Sequence, residues 1–254
     1  MNTSLMRELT LLQTREFVRD RRYFYFALIF PLGMMGLFLG MALLFPGEPD
    51  SEFSLQGIVV PMAIFMALTS VGFMATAAPL AAMRSKGTLR LLGTTPVSRA
   101  QVILSHMPAR LGLVLAQVAA MLAVGVAVGA AELSAVPALF GISLLGLAMF
   151  GALGYLIGGL LATPDAAANV STLVQLAALF LSGFVFPLDL LPDPAAQVLR
   201  YLPTTFFADL MATQLPGGEA VHPVWLSVTV ILATAAVCVL LAVRTFRWDQ
   251  GEAD

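Results

Sequence analysis

The stretch GIVVPMAIFMALTSVGFMATAAPLAAM, residues 57–83, contains no charged side chain. A helix needs roughly 20 apolar residues to cross the hydrocarbon core of a bilayer, so this stretch is long enough to span a membrane. Five further apolar runs flank it, at residues 24–45, 107–131, 136–162, 169–186 and 221–243. The sequence therefore predicts an all-α membrane protein with six transmembrane helices.

The composition of the whole chain agrees with a membrane protein. Of its 254 residues, 59% are hydrophobic and 11% are charged, against roughly 45–50% and 25% in soluble domains. The net charge of −2 does not point to a nucleic-acid partner. The single cysteine, Cys238, excludes a disulfide within the chain, and the sequence lacks the common metal-binding and catalytic motifs. We therefore expect no catalytic residue, metal or cofactor in this chain.

The only lysine, Lys86, bears on the source of energy. A P-loop places Gly-Lys-Ser/Thr after a glycine-rich turn, whereas Lys86 lies in Ser-Lys-Gly-Thr. Any ATP hydrolysis must then take place on a second polypeptide. Carboxylates are also missing from the centres of the predicted spans, which counts against an ion-coupled transporter.

Basic residues predict how the chain is oriented. With six spans, 12 of the 13 basic residues fall on the side that carries both termini, and only Arg200 falls on the other side. The excess of basic residues marks the cytoplasmic side, so both termini are expected there. This divides the chain into an interface helix at residues 1–22, a transmembrane domain at 23–243 and a tail at 244–254. We interpret the first apolar run as a retained span, since it is too long for a signal peptide.

The first 22 residues form an amphipathic pattern. Leu5, Leu9, Leu12 and Glu16 follow helical spacing, with Met6 beside the apolar stripe and arginines elsewhere. Such a helix can lie along the cytoplasmic headgroups. The alternative is a solvated basic segment that only fixes the orientation of the chain.

The predicted cytoplasmic loop at residues 84–106 combines leucines with basic residues. Gly87 and Gly93 are expected to interrupt helices, and the run Thr94-Thr95-Pro96 to start the next one. We expect a short helix whose leucines fill apolar pockets of another protein, while Arg90 and Arg99 meet acidic groups. The leucines are Leu89, Leu91 and Leu92. The alternative is a basic linker whose leucines dip into the membrane interface.

Turn and packing signals organise the remaining connections. Asp165 is expected to cap the fifth span. The external segment at residues 187–220 is divided by prolines, which predicts two short helices, at 194–201 and 204–214, lying over a cavity. Pairs of glycines four residues apart indicate close helix packing. These pairs are Gly36 with Gly40, Gly125 with Gly129, and Gly154 with Gly158.

Three stretches carry a resemblance to a known family. The first is REFVRD at residues 15–20 with Phe30-Pro31 downstream, and the second is Lys86-Gly87-Thr88-Leu89 followed by Thr95-Pro96. The third is SGFVFP at residues 182–187, then Leu191-Pro192 and YLPT at residues 201–204. In this order the stretches resemble the permeases of ABC-type 2 transporters, such as the daunorubicin-resistance exporters. One departure is basic: Lys86 precedes Gly87 and Arg90 follows Leu89, where family members often carry glutamate.

The resemblance implies partners and site residues. Two permeases, identical or paralogous, would pair in the plasma membrane (the inner membrane of a bacterium) with two P-loop ATPase subunits that hold ATP and magnesium. The coupling residues would be Gly87, Thr88, Leu89, Arg90, Leu91, Leu92, Pro96 and Arg99. The interface helix would contribute Arg15, Glu16 and Arg19, and the external gate Phe186, Pro187 and Pro203.

Polar side chains inside the spans are candidates for a substrate pathway. These are Gln117, Asn169, Thr172 and Gln175, and we expect them to face the bundle interior or a second permease, because contact with lipid is unfavourable. The 17 phenylalanines against 2 tryptophans and 4 tyrosines favour an apolar or amphiphilic substrate over a sugar. An ATP-driven exporter subunit is thus the leading interpretation. A self-sufficient channel or secondary transporter, and a scaffold or immunity protein, are the alternatives.

Overall fold

The computed structural model describes residues 3–19, 21–44, 55–95, 97–184, 191–214, 220–246 and 248. These residues form helices and contain no strand. A π-helical turn at Ser70–Met74 joins α3 to α4, and a 3₁₀ turn at Leu133–Ala135 precedes α7. The α-helices are α1 Thr3–Arg19, α2 Arg21–Leu44, α3 Leu55–Thr69, α4 Ala75–Ser85, α5 Thr88–Gly93, α6 Arg99–Ala127, α7 Val136–Leu160, α8 Pro164–Leu181, α9 Asp193–Leu199, α10 Pro203–Ala212 and α11 Val224–Thr245.

Five helical segments in the described residues are long and apolar enough to cross a membrane. They are Ile58–Ser85, Arg99–Ala127, Leu133–Leu160, Pro164–Leu181 and Val224–Thr245. These correspond to the second to sixth predicted spans. The predicted first span falls on α2, whose described apolar part, Ala27–Ala42, is shorter than the other five.

The second predicted span is the centre of the bundle. Its three parts, α3, the π-helical turn and α4, are largely buried, with α2 and α6 packed on α3 and with α7 and α8 packed on α4. Helix α11 packs along α7, and α1 packs against α6. Other helices surround this central span, and its residues 57–83 carry no charge on any face, as expected for a helix buried in a bundle.

Glycines allow very close contact between α7 and the central span. A Cβ atom on Gly154 would overlap the carbonyl oxygen of Gly72, and one on Gly158 would stand 2.7 Å from the carbonyl oxygen of Ala77. The predicted packing role of Gly154 and Gly158 is therefore confirmed. The small side chains let two backbones touch, which is how helices gain contact energy within a membrane.

The other two glycine pairs are explained differently. Gly125 packs on Val60, but Gly129 has a φ of 73° and terminates α6, with the Ala130 N–H donating to the Gly125 carbonyl at 2.8 Å. Gly129 thus serves as a left-handed helix cap, and its predicted packing role is wrong. Among the described residues, no atom lies within 4 Å of a Cβ position on Gly36 or Gly40, so these two glycines do not serve packing in that part of the chain.

Capping side chains place two helix starts at positions other than those predicted. Helix α6 begins at Arg99, because Ser98 accepts from the Gln101 N–H at 3.3 Å and its own N–H donates to the Gln101 side chain at 2.8 Å. The expected restart at Thr94-Thr95-Pro96 is wrong, and Pro96 lies outside the described residues. Helix α8 begins at Pro164, capped by the Thr163 hydroxyl, which accepts from the Ala166 N–H.

These caps correct the sequence boundaries. The third span is continuous with the second half of the predicted loop at residues 84–106. Asp165 is not the cap of α8 but lies in its first turn, where its charge suits the helix dipole. A single competing hydroxyl, on Thr163, accounts for this difference.

Two short helices, α9 and α10, lie within two residues of the ends predicted for the segment at residues 187–220. Helix α10 packs into the bundle rather than resting on it. The Phe207 side chain is fully buried, with its ring 5.4 Å from that of Phe150 and 6.0 Å from that of Phe65. Gly146 of α7 makes this insertion possible, since a Cβ there would stand 2.5 Å from the Phe207 ring.

Candidate functional site

Three segments that are far apart in the sequence meet at one end of the bundle. An apolar cluster joins Leu9 of α1, Leu89 of α5, Leu80 of α4 and Phe246, which follows α11. The cluster lies where α4 ends and α6 begins, close to Lys86 and Arg99. We call this the basic end of the bundle. Both described ends of the chain therefore lie at the same end of the bundle.

An open groove of about 950 Å³ runs between α1 and α5 at the basic end. It contains four leucines together with charged residues of both signs. Its lining residues are Glu8, Leu9, Leu11, Leu12, Arg15, Glu16, Arg19, Lys86, Thr88 and Leu92. The structure thus brings the three residues predicted for the interface helix together with two of those predicted for coupling.

The face of α1 that packs on the bundle differs from the predicted stripe. Leu9, Gln13 and Phe17 are buried, whereas the side chains of Leu11 and Leu12 are 40% and 52% exposed. Gln13 is turned inward because its side-chain oxygen accepts a hydrogen bond from Nε2 of His106 at 2.7 Å. A polar contact with α6 therefore sets the rotation of α1 and leaves Leu12 and Glu16 exposed. The predicted contact of the apolar stripe with the headgroups stays a prediction.

The short helix α5 starts at a left-handed turn. Gly87 has a φ of 74°, a conformation that side chains with a Cβ rarely adopt, and it ends the central span as predicted. The Leu91 side chain is 72% exposed, and Leu92 lies partly buried at the groove. Arg90 is exposed and Arg99 is half-buried at the first turn of α6.

Leu89 requires a correction. Its side chain is fully buried in the cluster at the basic end of its own chain. It therefore cannot fill a pocket of a partner, as the spacing of the leucines led us to expect. Leu89 instead fixes α5 to the bundle, so that Leu91 points outward.

Arg110, near the start of the third span, is buried below the groove, where its side chain contacts several helices. Its guanidinium donates to the Thr76 hydroxyl at 2.8 Å, to the Ala75 carbonyl at 2.9 Å and to the His106 carbonyl at 3.1 Å. The Phe17 and Tyr155 rings lie 5.4 and 5.6 Å from its central carbon. These acceptors and rings compensate for removing the charge from water.

Proline explains why the Ala75 carbonyl needs this partner. In a regular helix that carbonyl would accept from residue 79, but Pro79 has no N–H. Arg110 supplies the missing donor, and Gln117 does the same for α2, donating at 2.8 Å to the Ala27 carbonyl that Pro31 leaves free. The role of Arg110 was not predicted from the sequence. An available signal was a lone arginine in one apolar run together with a proline in another.

A double-mutant cycle tests the pairing of Arg110 with Pro79. We expect Arg110→Met to lower the free energy of unfolding by about 1–3 kcal/mol, because the Ala75 carbonyl loses its donor. In a Pro79→Ala background the loss should be smaller, since the N–H of residue 79 then serves that carbonyl. Thermal unfolding of the four variants measures the difference. Equal losses in both backgrounds would show that Arg110 serves another purpose.

The polar side chains predicted for the pathway lie in two environments. Gln117 and Gln175 are buried, and Gln175 donates to the Thr69 hydroxyl at 3.1 Å. Asn169 and Thr172 lie on the exposed face of α8, although Thr172 also donates to the Ala168 carbonyl. Gln175 therefore does not continue the face shared by Asn169 and Thr172.

At the end opposite the basic end, an acid links α10 to the start of α11. The Asp209 carboxylate accepts from Nδ1 of His222 at 2.5 Å and from the backbone N–H groups of Val221 and His222. Pro203 occupies the first position of α10, while Phe186 and Pro187 lie outside the described residues. Within the described part of the chain, His, Cys, Asp and Glu form no group suited to hold a metal ion.

The described residues form a helical bundle suited to a membrane, with an open groove between the N-terminal helix and a short loop helix. Comparison with known proteins identifies the family. Residues 44–244 match the model of the ABC-2 family transporter proteins. The chain is also 31% identical over 191 residues to Nodulation protein J of Rhizobium leguminosarum bv. trifolii, across 73% of this chain and 68% of that protein.

The chain therefore belongs to the ABC-2 transporter family, as a permease subunit with membrane-spanning helices. Membrane subunits of this family are not themselves ATPases, and membership implies association with a membrane and with an ATPase subunit. The family-level resemblance drawn from the sequence is confirmed. The narrower likeness to daunorubicin exporters stays a prediction.

Proposed function

We propose that this chain exports an apolar or amphiphilic molecule, such as a drug, lipid or lipopeptide, using the energy of ATP hydrolysed on the partner subunit. The observation that carries the proposal is the groove at the basic end, in which α1 and α5 present apolar and charged side chains together. In this arrangement α2 is the first of six spans. The basic end faces the cytoplasm, and the protein lies in the plasma membrane, in bacteria the inner membrane.

The groove fits a docking surface for the ATPase. The exposed leucines of α1, Leu11 and Leu12, line the groove, and the exposed Leu91 of α5 adds apolar area outside it. Burial of one leucine contributes roughly 1.5–3 kcal/mol, whereas an exposed ion pair contributes about 0–1 kcal/mol. The leucines would therefore supply most of the affinity. Basic residues such as Arg15, Arg19 and Lys86 would set the register against acidic groups of the partner.

Two permeases, identical or paralogous, would assemble with two ATPase subunits that hold ATP and magnesium, and this chain would carry no cofactor. The exposed polar face of α8 supports a second permease as its neighbour, because Asn169 and Thr172 would otherwise face lipid. Gln117 and Gln175 would lie deeper in each subunit. Phe186, Pro187 and Pro203 would belong to the external gate.

Purification of the chain with and without its ATPase tests the proposal. The chain alone should show no ATPase activity above a mock preparation, because it lacks a P-loop. Co-expression with the ATPase should give a complex with two copies of each subunit. Transport into liposomes should then require both proteins. Transport by this chain alone would refute the assignment.

Cysteine cross-linking tests the assignment of α8 to the interface between permeases. In a chain without Cys238, Asn169→Cys or Thr172→Cys should form a disulfide between two copies, because both positions are exposed in the single subunit. A matched control is Leu232→Cys on α11, whose side chain is 47% exposed and should face lipid. Labelling of residues 169 and 172 from the lipid phase, without cross-linking, would place α8 at the lipid boundary.

A further inference from the structure

An aromatic pair that follows the last span packs on α5, which we call the coupling helix. The Phe246 side chain is buried, and its ring stands 5.2 Å from that of Trp248 in an edge-to-face arrangement. The Trp248 ring lies against Gly93, the last residue of α5, because a Cβ added to Gly93 would stand 3.2 Å from that ring. The C-terminal segment thus reaches the helix that was predicted to dock the ATPase.

Helix α5 needs such support because it is short. Its six residues cannot hold a helix by hydrogen bonding alone, since isolated helices shorter than about 12–15 residues are marginal in water. Leu89 packs one face of α5 into the cluster at the basic end, and the Trp248 ring lies against the C-terminal end of α5. Together these contacts fix both the rotation of α5 and its direction.

The last span, α11, is held in place at its other end as well, where it begins. Asp209 of α10 binds His222 and the backbone just before α11 begins, and α11 packs along α7 between the two ends. The residues that follow α11 therefore contact α5 at the basic end, and the residues just before α11 contact α10 at the opposite end. An aromatic pair makes one connection and a hydrogen-bonded carboxylate makes the other.

We propose that Trp248, supported by Phe246, is a positioning residue that holds α5 in its docking orientation and ties it to α11. The consequence is that docking of the ATPase on α5 acts directly on the last span. This consequence rests on the proposed function. The observation of Trp248 over Gly93 carries the placement itself. The residue makes no contact with substrate in this role.

Fluorescence of a single tryptophan tests the placement without a partner. Trp225→Phe leaves Trp248 as the only tryptophan of the full chain, and removal of Cys238 allows a nitroxide to be attached at a chosen cysteine. A nitroxide at Thr94→Cys, beside Gly93, should quench the Trp248 emission severalfold. A nitroxide at Ser134→Cys, at the opposite end of the bundle, should leave it unchanged. Equal emission in both labelled chains would overturn the placement.

Mobility of a nitroxide at Leu91→Cys tests the positioning role. Trp248→Ala should make this label clearly more mobile, and Gly93→Val should do the same by displacing the ring. Trp248→Phe keeps an aromatic ring on Gly93 and should restore most of the order. Trp225→Ala is the matched control, since that side chain is 69% exposed at the opposite end of α11. Unchanged mobility in both Trp248→Ala and Gly93→Val would overturn the proposal.

Binding of the ATPase to the full chain tests the role of Trp248 in docking. Trp248→Ala should weaken binding about tenfold, which corresponds to about 1.4 kcal/mol, while Trp248→Phe and Trp225→Ala should bind like the wild type. Binding of Trp248→Ala at wild-type affinity would contradict the docking role. If the wild-type chain binds no ATPase, the proposed function fails, and the quenching and mobility measurements still decide how α5 is held.

Discussion

Replacing Leu91 by aspartate should leave the protein inserted and abundant while weakening ATPase binding and abolishing transport and substrate-stimulated ATPase activity. The side chain is 72% exposed on α5, so the substitution disturbs no packing within the chain. It does remove apolar area from the docking surface and places a carboxylate there instead. Loss of one buried leucine alone is worth roughly 1.5–3 kcal/mol, which weakens binding at least about tenfold. Co-purification with the ATPase and transport assays in liposomes measure the effect.

Matched variants separate docking from folding. Leu133→Asp changes an equally exposed leucine (74%) at the opposite end of the bundle and should alter neither binding nor transport. Leu89→Ala should instead lower stability, because that side chain is fully buried. Gly87→Val should misplace α5, since valine is strained at the φ of 74° found there. If Leu91→Asp and Gly87→Val both transport normally at normal abundance, the loop is a solvated linker.

A second large effect is expected from Gly154→Ala. The added methyl group would overlap the Gly72 carbonyl oxygen, and backbone atoms cannot move aside as a flexible side chain could. Helix α7 would have to separate from the π-helical turn, losing contacts along the buried centre of the bundle. We expect a loss of about 3 kcal/mol or more in the free energy of unfolding. Thermal unfolding in detergent should show a much lower midpoint and a low yield of folded protein.

The matched control for this variant lies on the same helix. Gly141 of α7 has no neighbouring atom within 4 Å of a Cβ position. Gly141→Ala should therefore keep or raise stability, because alanine favours a helix over glycine by about 0.5–1 kcal/mol. Similar unfolding midpoints for Gly154→Ala and Gly141→Ala would mean that the close approach of α7 to the π-helical turn is not present in the protein.

Features that depend on composition over long stretches were predictable from the sequence. The predicted spans after the first coincide with long apolar helices, and α9 and α10 lie between prolines as expected. These features follow from apolar length and from the missing N–H of proline, which act locally. The grouping of Arg15, Glu16 and Arg19 with Thr88 and Leu92 in one groove was implied by family resemblance rather than by spacing.

Features that depend on contacts between distant segments were not predictable. Helical spacing did not identify the face of α1 that packs on the bundle, because a hydrogen bond between Gln13 and His106 turns Leu9, Gln13 and Phe17 inward. The leucines of α5 are indistinguishable in sequence, yet Phe246 and its neighbours bury Leu89 and leave Leu91 outside. Such choices are decided by residues that are many positions away, so a local pattern carries no information about them.

The two proline contacts of the third span limit how this sequence can change during evolution. Arg110 and Gln117 each supply a hydrogen bond that a proline on a neighbouring span has removed. A lineage that loses Pro79 no longer needs a donor at residue 110, while one that keeps Pro79 cannot easily replace Arg110. The same holds for Pro31 and Gln117. Among related sequences, each proline and its donor should therefore be gained or lost together, and the two pairs should vary independently of each other.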